Sequence, residues 1–90
     1  MSTPLLSTDI RLKRILYRAQ HRGMQETDLL LGGFAAQRLA ELSPAQLDRF
    51  EALLDQSDND LFDWITGKKP APSAFAHDVL AILKAFAKSA

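Results

Sequence analysis

A cluster of charged residues surrounds a glycine in residues 22–28, which read RGMQETD. Arg22 and Glu26 can form charge-assisted hydrogen bonds, which are stronger than neutral ones. Gly23 suits a backbone that needs a positive φ or that another surface approaches closely. Met24 supplies a flexible apolar side chain of the kind found both in cores and at binding surfaces. These residue types are suited to recognising a partner.

Each of these residues also has a purely structural interpretation, and the sequence alone leaves both open. Gly23 can simply follow the end of a helix, and Arg22 can be a solvated helix end. Glu26 would lie near the third position of a second helix, where a carboxylate stabilises the positive helix end. Met24 can belong to the core.

Catalytic and metal chemistry have little support in this sequence. The absence of cysteine excludes disulfides, thiolate metal sites and cysteine nucleophiles. His21 and His77 lack the HExxH spacing of a zinc site, and we expect both on helix surfaces. The acids of residues 55–63 do not follow the calcium-loop spacing and are interpreted as helix caps and a solvated face. Because no serine elbow motif is present either, the sequence predicts a protein that is not an enzyme and binds no metal.

The formal net charge is zero, but the signs are segregated along the chain. Residues 1–22 carry five basic side chains and one acid, residues 23–63 carry nine acids and two arginines, and residues 64–90 carry four lysines and one acid. Such segments can pair internally or present a polar binding surface. A nucleic-acid-binding domain usually has a pI above about 9. The pI near 6.7 therefore argues against nucleic acid as a partner.

Helical periodicity runs through the chain, and no segment alternates as a strand would. Helix 1 is predicted over about residues 8–21, with Thr8 as its N-cap and residues 1–8 as a flexible lead-in. Helix 2 is predicted over about residues 24–39, with the glycines at 32–33 allowing close packing against a neighbouring helix. A stripe of arginines at helical spacing lies along helix 1: Arg11, Arg14, Arg18 and Arg22.

Three further helices are predicted from their start and stop signals. Residues 43–46, which read SPAQ, combine an N-cap serine, a first-turn proline and a capping-box glutamine. Asp58 is predicted to cap a short helix 4, which Gly67 follows. The prolines of residues 68–72 require an extended connector, after which Ser73 is predicted to cap helix 5.

The expected fold is therefore a single all-α domain, a compact five-helix bundle over residues 1–90. Hydrophobic residues make up 47% of the chain, which is typical of a globular protein. No apolar run approaches the ~20 residues that a membrane-spanning helix needs. We therefore expect no membrane insertion.

Residues 22–28, followed by LLLGGF at 29–34, resemble the motif of the succinate dehydrogenase assembly factor family, whose core is RGxxE. These are small proteins of bacteria and mitochondria that promote covalent flavin attachment. Four further segments resemble the family in the same order: KRILY at 13–17, DLFDW at 60–64, KPAP at 69–72 and LKAFAK at 83–88. The resemblance covers about residues 11–88, and one departure is Gly33, where the family more often carries a larger residue.

The resemblance implies a five-helix fold and a chaperone-like role. The partner would be the flavoprotein subunit of succinate dehydrogenase, and in some bacteria that of fumarate reductase. FAD would belong to that client, which supplies the histidine for the covalent bond, and this chain would have no cofactor of its own. The motif positions of the family would then bind the partner here, and they are Arg22, Gly23, Met24, Glu26 and Asp28. Arg18 and Arg14 are added because they lie on the same helical stripe as Arg22.

Two other functions stay open as alternatives, a helical protein-interaction adaptor unrelated to flavin and a small nucleic-acid binder. The amphipathic, arginine-rich residues 10–22 also fit a mitochondrial transit peptide. They run directly into the motif, however, and a start at Met1 without a separate transit segment favours the bacterial cytoplasm, or the mitochondrial matrix if the source is eukaryotic. We expect the free protein to be a monomer.

Overall fold

The computed structural model describes residues 3–89, with side chains from residue 10 onward. This part of the chain is helical and contains no strand, which confirms the predicted all-α bundle. The helices are α1 (Thr3–Gln20), α2 (Gln25–Arg38), α3 (Pro44–Leu54), α4 (Asp58–Thr66) and α5 (Asp78–Ser89), with a 3₁₀ turn at Leu39–Glu41. No helix of the described residues is long and apolar enough to span a membrane.

The core is built around α2. The ring of Phe34 is completely buried, with its centroid 5.5 Å from that of Phe50 in α3 and 5.5 Å from that of Phe86 in α5. Leu31, one turn earlier, is also completely buried. A Cβ at Gly32 would lie only 3.0 Å from Cγ of Gln20, so this glycine allows α1 and α2 to pack closely.

The first helix begins earlier than predicted. Because α1 starts at Thr3, Thr8 lies inside the helix and does not cap it, and the flexible lead-in predicted for residues 1–8 is wrong from Thr3 onward. Residues 1 and 2 lie outside the described residues. The sequence is compatible with this early start, since Pro4 falls in the first turn, where proline is tolerated, and leucines follow it.

Helices α3 and α4 begin at capping serines. At Ser43 the predicted capping box is confirmed: its hydroxyl accepts from the backbone N–H of Gln46, and the Gln46 side chain accepts from the backbone N–H of Ser43. The N-cap of α4 is Ser57, whose side chain accepts from Asp60 N at 3.2 Å, so the prediction of Asp58 as the cap is wrong. This shift by one residue leaves the Asp58 carboxylate free to contact another part of the chain.

The last helix begins later than predicted. Residues 73–75 form a turn, α5 starts at Asp78, and the predicted cap at Ser73 is wrong. Phe75 stacks on Trp64 of α4 with 5.3 Å between ring centroids, which holds this segment against α4 instead of in a helix. Nδ1 of His77 accepts from the backbone N–H of Leu80 at 3.3 Å, so this histidine caps α5.

Ion pairs connect the basic stripe of α1 to the acidic segment of the chain. Arg11 contacts Asp48 at 2.6 Å and Glu51 at 2.7 Å, and Arg18 contacts Asp55 at 2.6 Å. Of the two possibilities that the segregated charges leave open, internal pairing therefore accounts for much of this stripe.

Candidate partner-binding site

One carboxylate holds the turn between α1 and α2. Oδ1 of Asp58 accepts from Nε of Arg22 at 2.5 Å, and Oδ2 accepts from the backbone N–H groups of Gly23 at 2.9 Å and Met24 at 3.0 Å. Three consecutive residues of the turn are thereby fixed to the first residue of α4. No local pattern indicates this role, since Asp58 lies more than thirty positions further along the chain.

The side chain of Arg22 is used inside the protein. Its NH1 donates to the carbonyl oxygen of Leu54 at 2.7 Å and its NH2 donates to that of Gln56 at 2.6 Å. These carbonyls lie at the C-terminal end of α3, where backbone acceptors lack helical partners and a cation is favoured. Since the side chain is only 11% exposed, Arg22 braces the turn in the free protein.

Asp58 is ionised in this setting. Burial by itself raises the pKa of its carboxyl, but the hydrogen bond and charge of Arg22, together with the hydrogen bond from the backbone N–H of Met24, outweigh burial and hold the pKa below its ordinary value of 3.8. The charged form is therefore the one that the fold stabilises.

A close contact, and not the backbone conformation, favours glycine at position 23. Gly23 is exposed and does not have a positive φ. A Cβ at this position would lie 3.2 Å from Oδ2 of Asp58, the same atom that accepts its N–H. The close approach that the sequence suggests is thus made by the chain's own carboxylate.

Two motif residues on α2 differ in their environment. Asp28 is partly buried, and its Oδ1 accepts from the backbone N–H of Arg22 at 2.5 Å. Glu26 is the second residue of α2, one position earlier than predicted. It is exposed and makes no hydrogen bond or ion pair with any other residue that the structure describes. Asp28 therefore stabilises the turn, whereas Glu26 is displayed at the surface.

Met24 and Thr27 complete the start of α2. Met24 is half-buried and is the N-cap residue, with no side-chain cap. The hydroxyl of Thr27 donates to the carbonyl oxygen of Met24 at 3.0 Å, and Thr27 is completely buried. Sequence reasoning missed this contribution of Thr27, because a threonine at this position has no distinctive pattern.

An aromatic pair lies beside the turn. The rings of Tyr17 and His21 stack with centroids 3.9 Å apart and planes 13° apart. Nδ1 of His21 is 2.8 Å from the carbonyl oxygen of Tyr17, and because a carbonyl only accepts, this nitrogen carries the hydrogen. Together with Gly23 and Asp58, the pair borders a shallow depression of about 350 Å³.

Arg14 and Arg18, the stripe arginines that are also predicted to bind the partner, take no part in the hydrogen bonds of the turn. Arg18 also borders this depression, but it is paired with Asp55 and is about one-third exposed. Arg14 is exposed and takes part in no ion pair among the described residues. In the same part of the chain, no group of three or more histidine, aspartate or glutamate side chains comes together as a metal site requires.

The fold and the site define a small all-α module with a braced, charged turn at its surface. The family model described as the flavinator of succinate dehydrogenase matches residues 13–87. This chain belongs to that family, as its motif predicts, and the family is one of assembly factors.

Relatives in distant eukaryotes are similar over most of this chain. It is 45% identical to a protein of Mycosarcoma maydis over 77% of its length, 40% identical to one of Dictyostelium discoideum over 86%, and 37% identical to one of Danio rerio over 90%. Each relative is named succinate dehydrogenase assembly factor 2, mitochondrial. The chain spans 29%, 55% and 52% of their respective lengths.

Proposed function

We propose that this protein binds the flavoprotein subunit of succinate dehydrogenase and promotes the covalent attachment of FAD to it. The observation that supports this most is that the family's motif residues form one internally braced turn from which Glu26 projects. The family match over residues 13–87 gives the turn its context. The protein would act as a chaperone, without a catalytic residue of its own.

The proposed mechanism is positioning. The client supplies the histidine nucleophile and its bound flavin supplies the electrophile, so the helper contributes by holding the client in the arrangement in which the two react. A turn that is already ordered by Asp58 loses little further conformational freedom on binding. More of the contact energy is then available to order the client.

The cofactor, partners and compartment follow from the same proposal. FAD belongs to the client, and this chain needs no tight flavin site. The flavoprotein of fumarate reductase is a second proposed client, nucleic acid is not a partner, and the free protein is a monomer. It would act where its client folds, in the bacterial cytoplasm or in the mitochondrial matrix.

The test measures covalent flavin on the succinate dehydrogenase flavoprotein by in-gel fluorescence after denaturation. The flavoprotein is incubated with FAD alone, with this protein, or with its Glu26→Arg variant. We expect the wild type to raise the fluorescence several-fold and Glu26→Arg to lose most of that gain, because the proposed contact uses the exposed carboxylate of Glu26, which the variant replaces with a positive charge.

The matched control is Glu41→Arg, which reverses an exposed glutamate in the 3₁₀ turn, where Glu41 pairs with Arg38. It should behave as the wild type does. Equal fluorescence with and without the wild-type protein would refute the proposal and would favour an adaptor unrelated to flavin.

A further inference from the structure

Two of the segments that resemble the family take no part in the turn. KPAP at 69–72 belongs to the connector that follows α4, and LKAFAK at 83–88 belongs to α5. The turn contacts the first residue of α4, whereas the connector begins after its last residue, Thr66. The nine residues of α4 separate these two places by roughly 12 Å along the helix axis.

A surface trough runs along α5 beside this connector. Near the C-terminal ends of α4 and α5, a depression of about 450 Å³ is bordered by Ile65, Thr66, Gly67, Lys84, Ala87 and Lys88. Toward the start of α5, a second depression of about 340 Å³ is bordered by residues of the connector and of α5, among them Pro70, Ala71, His77, Leu80 and Lys84. Because Lys84 borders both depressions, they adjoin each other. We call the two together the lysine trough.

The positive charge of the lysine trough is not matched by acids of the chain. Lys84 and Lys88 are exposed, and neither forms an ion pair with any residue that the structure describes. None of the described residues that border the trough is acidic. The trough differs in this respect from the basic stripe of α1, where Arg11, Arg18 and Arg22 each contact a carboxylate.

The two lysines also repel each other in the free protein. They are four residues apart on α5, a spacing that places side chains next to each other on a helix, and like charges at this spacing are destabilising. Lys68, which directly follows Gly67, is exposed and adds a third cation at this end of the molecule. An anionic occupant would relieve the repulsion, so the arrangement favours one.

The shape of the trough favours a narrow polypeptide over a lipid surface. Alanines that are at least partly exposed border it and leave room for a backbone with apolar side chains: Ala71, Ala81 and Ala87. The exposed large hydrophobic side chains of the described residues all lie on α1 or α2, at Ile10, Tyr17 and Leu29. A membrane would therefore contact only the ends of the lysines here.

We propose that the lysine trough binds an extended acidic segment of a partner protein, with its acids at alternate positions. Lys84 and Lys88 lie about 6 Å apart along the helix axis. In an extended chain, side chains two positions apart point to the same side and lie about 6.6 Å apart, so alternate acids match the two lysines. The residue between the acids points the opposite way and is apolar. This proposal goes beyond the proposed function, because it concerns a second partner at a place separate from the turn.

The experiment measures the binding of short synthetic peptides to the full chain by two-dimensional ¹H–¹⁵N NMR. In one peptide glutamate and valine alternate, and in the other the same residues are arranged with the glutamates consecutive. We expect the alternating peptide to shift the amide signals of Gly67, Lys84 and Lys88. Because its acids match the spacing of the lysines, it should bind about threefold or more tightly than the other peptide.

The variants Lys84→Gln and Lys88→Gln each remove one cation from the trough. Lys13→Gln is the matched control, because Lys13 is an exposed lysine on α1 that does not border the trough. Glutamine keeps a good helix propensity, and the NMR spectra show whether each variant is folded. We expect Kd for the alternating peptide to rise about threefold or more in the two trough variants and to stay at the wild-type value in the control.

Three results would overturn the proposal. The first is an equal Kd for the wild type and both trough variants, and the second is a set of amide shifts confined to other parts of the chain. The third is sedimentation with phosphatidylglycerol vesicles that Lys84→Gln abolishes while neither peptide binds, which would favour a lipid surface instead. These measurements contain no flavoprotein, so the proposal can fail while the proposed function stands.

Discussion

At the scale of single residues, Asp58 organises the motif. Its two carboxylate oxygens accept hydrogen bonds from the guanidinium of Arg22 and from the backbone N–H groups of Gly23 and Met24. The guanidinium in turn stabilises the negative charge of Asp58. An arginine and a glycine that the family resemblance assigns to a partner interface therefore have structural partners within the chain. Of the charged residues of the motif, Glu26 is the one that this arrangement leaves exposed.

Asp58→Asn tests this organisation. The amide has a similar shape but keeps one acceptor oxygen, and the mostly buried Arg22 loses its charge partner. We expect the free energy of unfolding to fall by about 2–3 kcal/mol, as is typical when one partner of a largely buried pair is removed. Urea unfolding measures the change. Asp60→Asn, an exposed residue in the same turn of α4, is the control; equal stability of the two variants would contradict the role of Asp58.

At the scale of secondary-structure elements, the turn lies where three helix ends meet. The last residues of α1 lead into it, the C-terminal carbonyls of α3 accept from Arg22, and α4 begins with Asp58. Because Ser57 serves as the N-cap of α4, the carboxylate of Asp58 is available for the turn. Of these two adjacent residues, Ser57 therefore caps α4 and Asp58 holds the turn.

Ser57→Ala separates those two tasks. Removal of the hydroxyl leaves the N–H of Asp60 without its cap acceptor, which should lower the free energy of unfolding by about 1 kcal/mol. Affinity for the flavoprotein should stay at the wild-type value, since the bonds of Asp58 to the turn are kept. Thermal unfolding measures the change in stability, and surface plasmon resonance with the flavoprotein measures the affinity. A loss of affinity with unchanged stability would mean that Ser57 contacts the client.

At the scale of the whole molecule, charges that are segregated in sequence become paired in space. Arg11 and Arg18 of α1 reach the acids of α3, and Arg49 of α3 contacts Asp78 at the start of α5 at 2.8 Å. Hydrogen bonds from Gln46 and Arg49, the main causes, hold the pKa of Asp78 at about 2. The pairs join segments that are distant in the chain, and much of the acidic middle is neutralised by the arginines of residues 11–22.

Acid should therefore weaken the fold. The folded-state pKa values of Asp58 and Asp78 lie below the ordinary value of 3.8, so the folded chain binds fewer protons than the unfolded chain in this range. Their stabilisation is present above about pH 4 and is lost as the pH falls toward 2. We expect the melting temperature to decrease across this window, and to decrease less in Asp78→Asn. A melting temperature that is constant between pH 5 and pH 2 would contradict this account.

Features that depend on neighbouring residues could be predicted from the amino-acid sequence. Helical periodicity, the capping box at Ser43 and the end of α4 at Gly67, whose φ is 82°, are read correctly because these signals act within about four residues along the chain. The charged motif is recognisable for the same reason, since its members are consecutive.

Features that depend on contacts between distant segments could not be predicted in this way and are seen in the folded chain. The bond from Arg22 to Asp58 joins residues 36 positions apart, and the stack of Phe75 on Trp64 accompanies a start of α5 later than its local signals indicate. Packing selects such partners from many chemically equivalent aspartates and aromatic residues, and no local pattern distinguishes them. Tertiary packing therefore determines which motif residues brace the turn, and it leaves the charged side chain of Glu26 exposed.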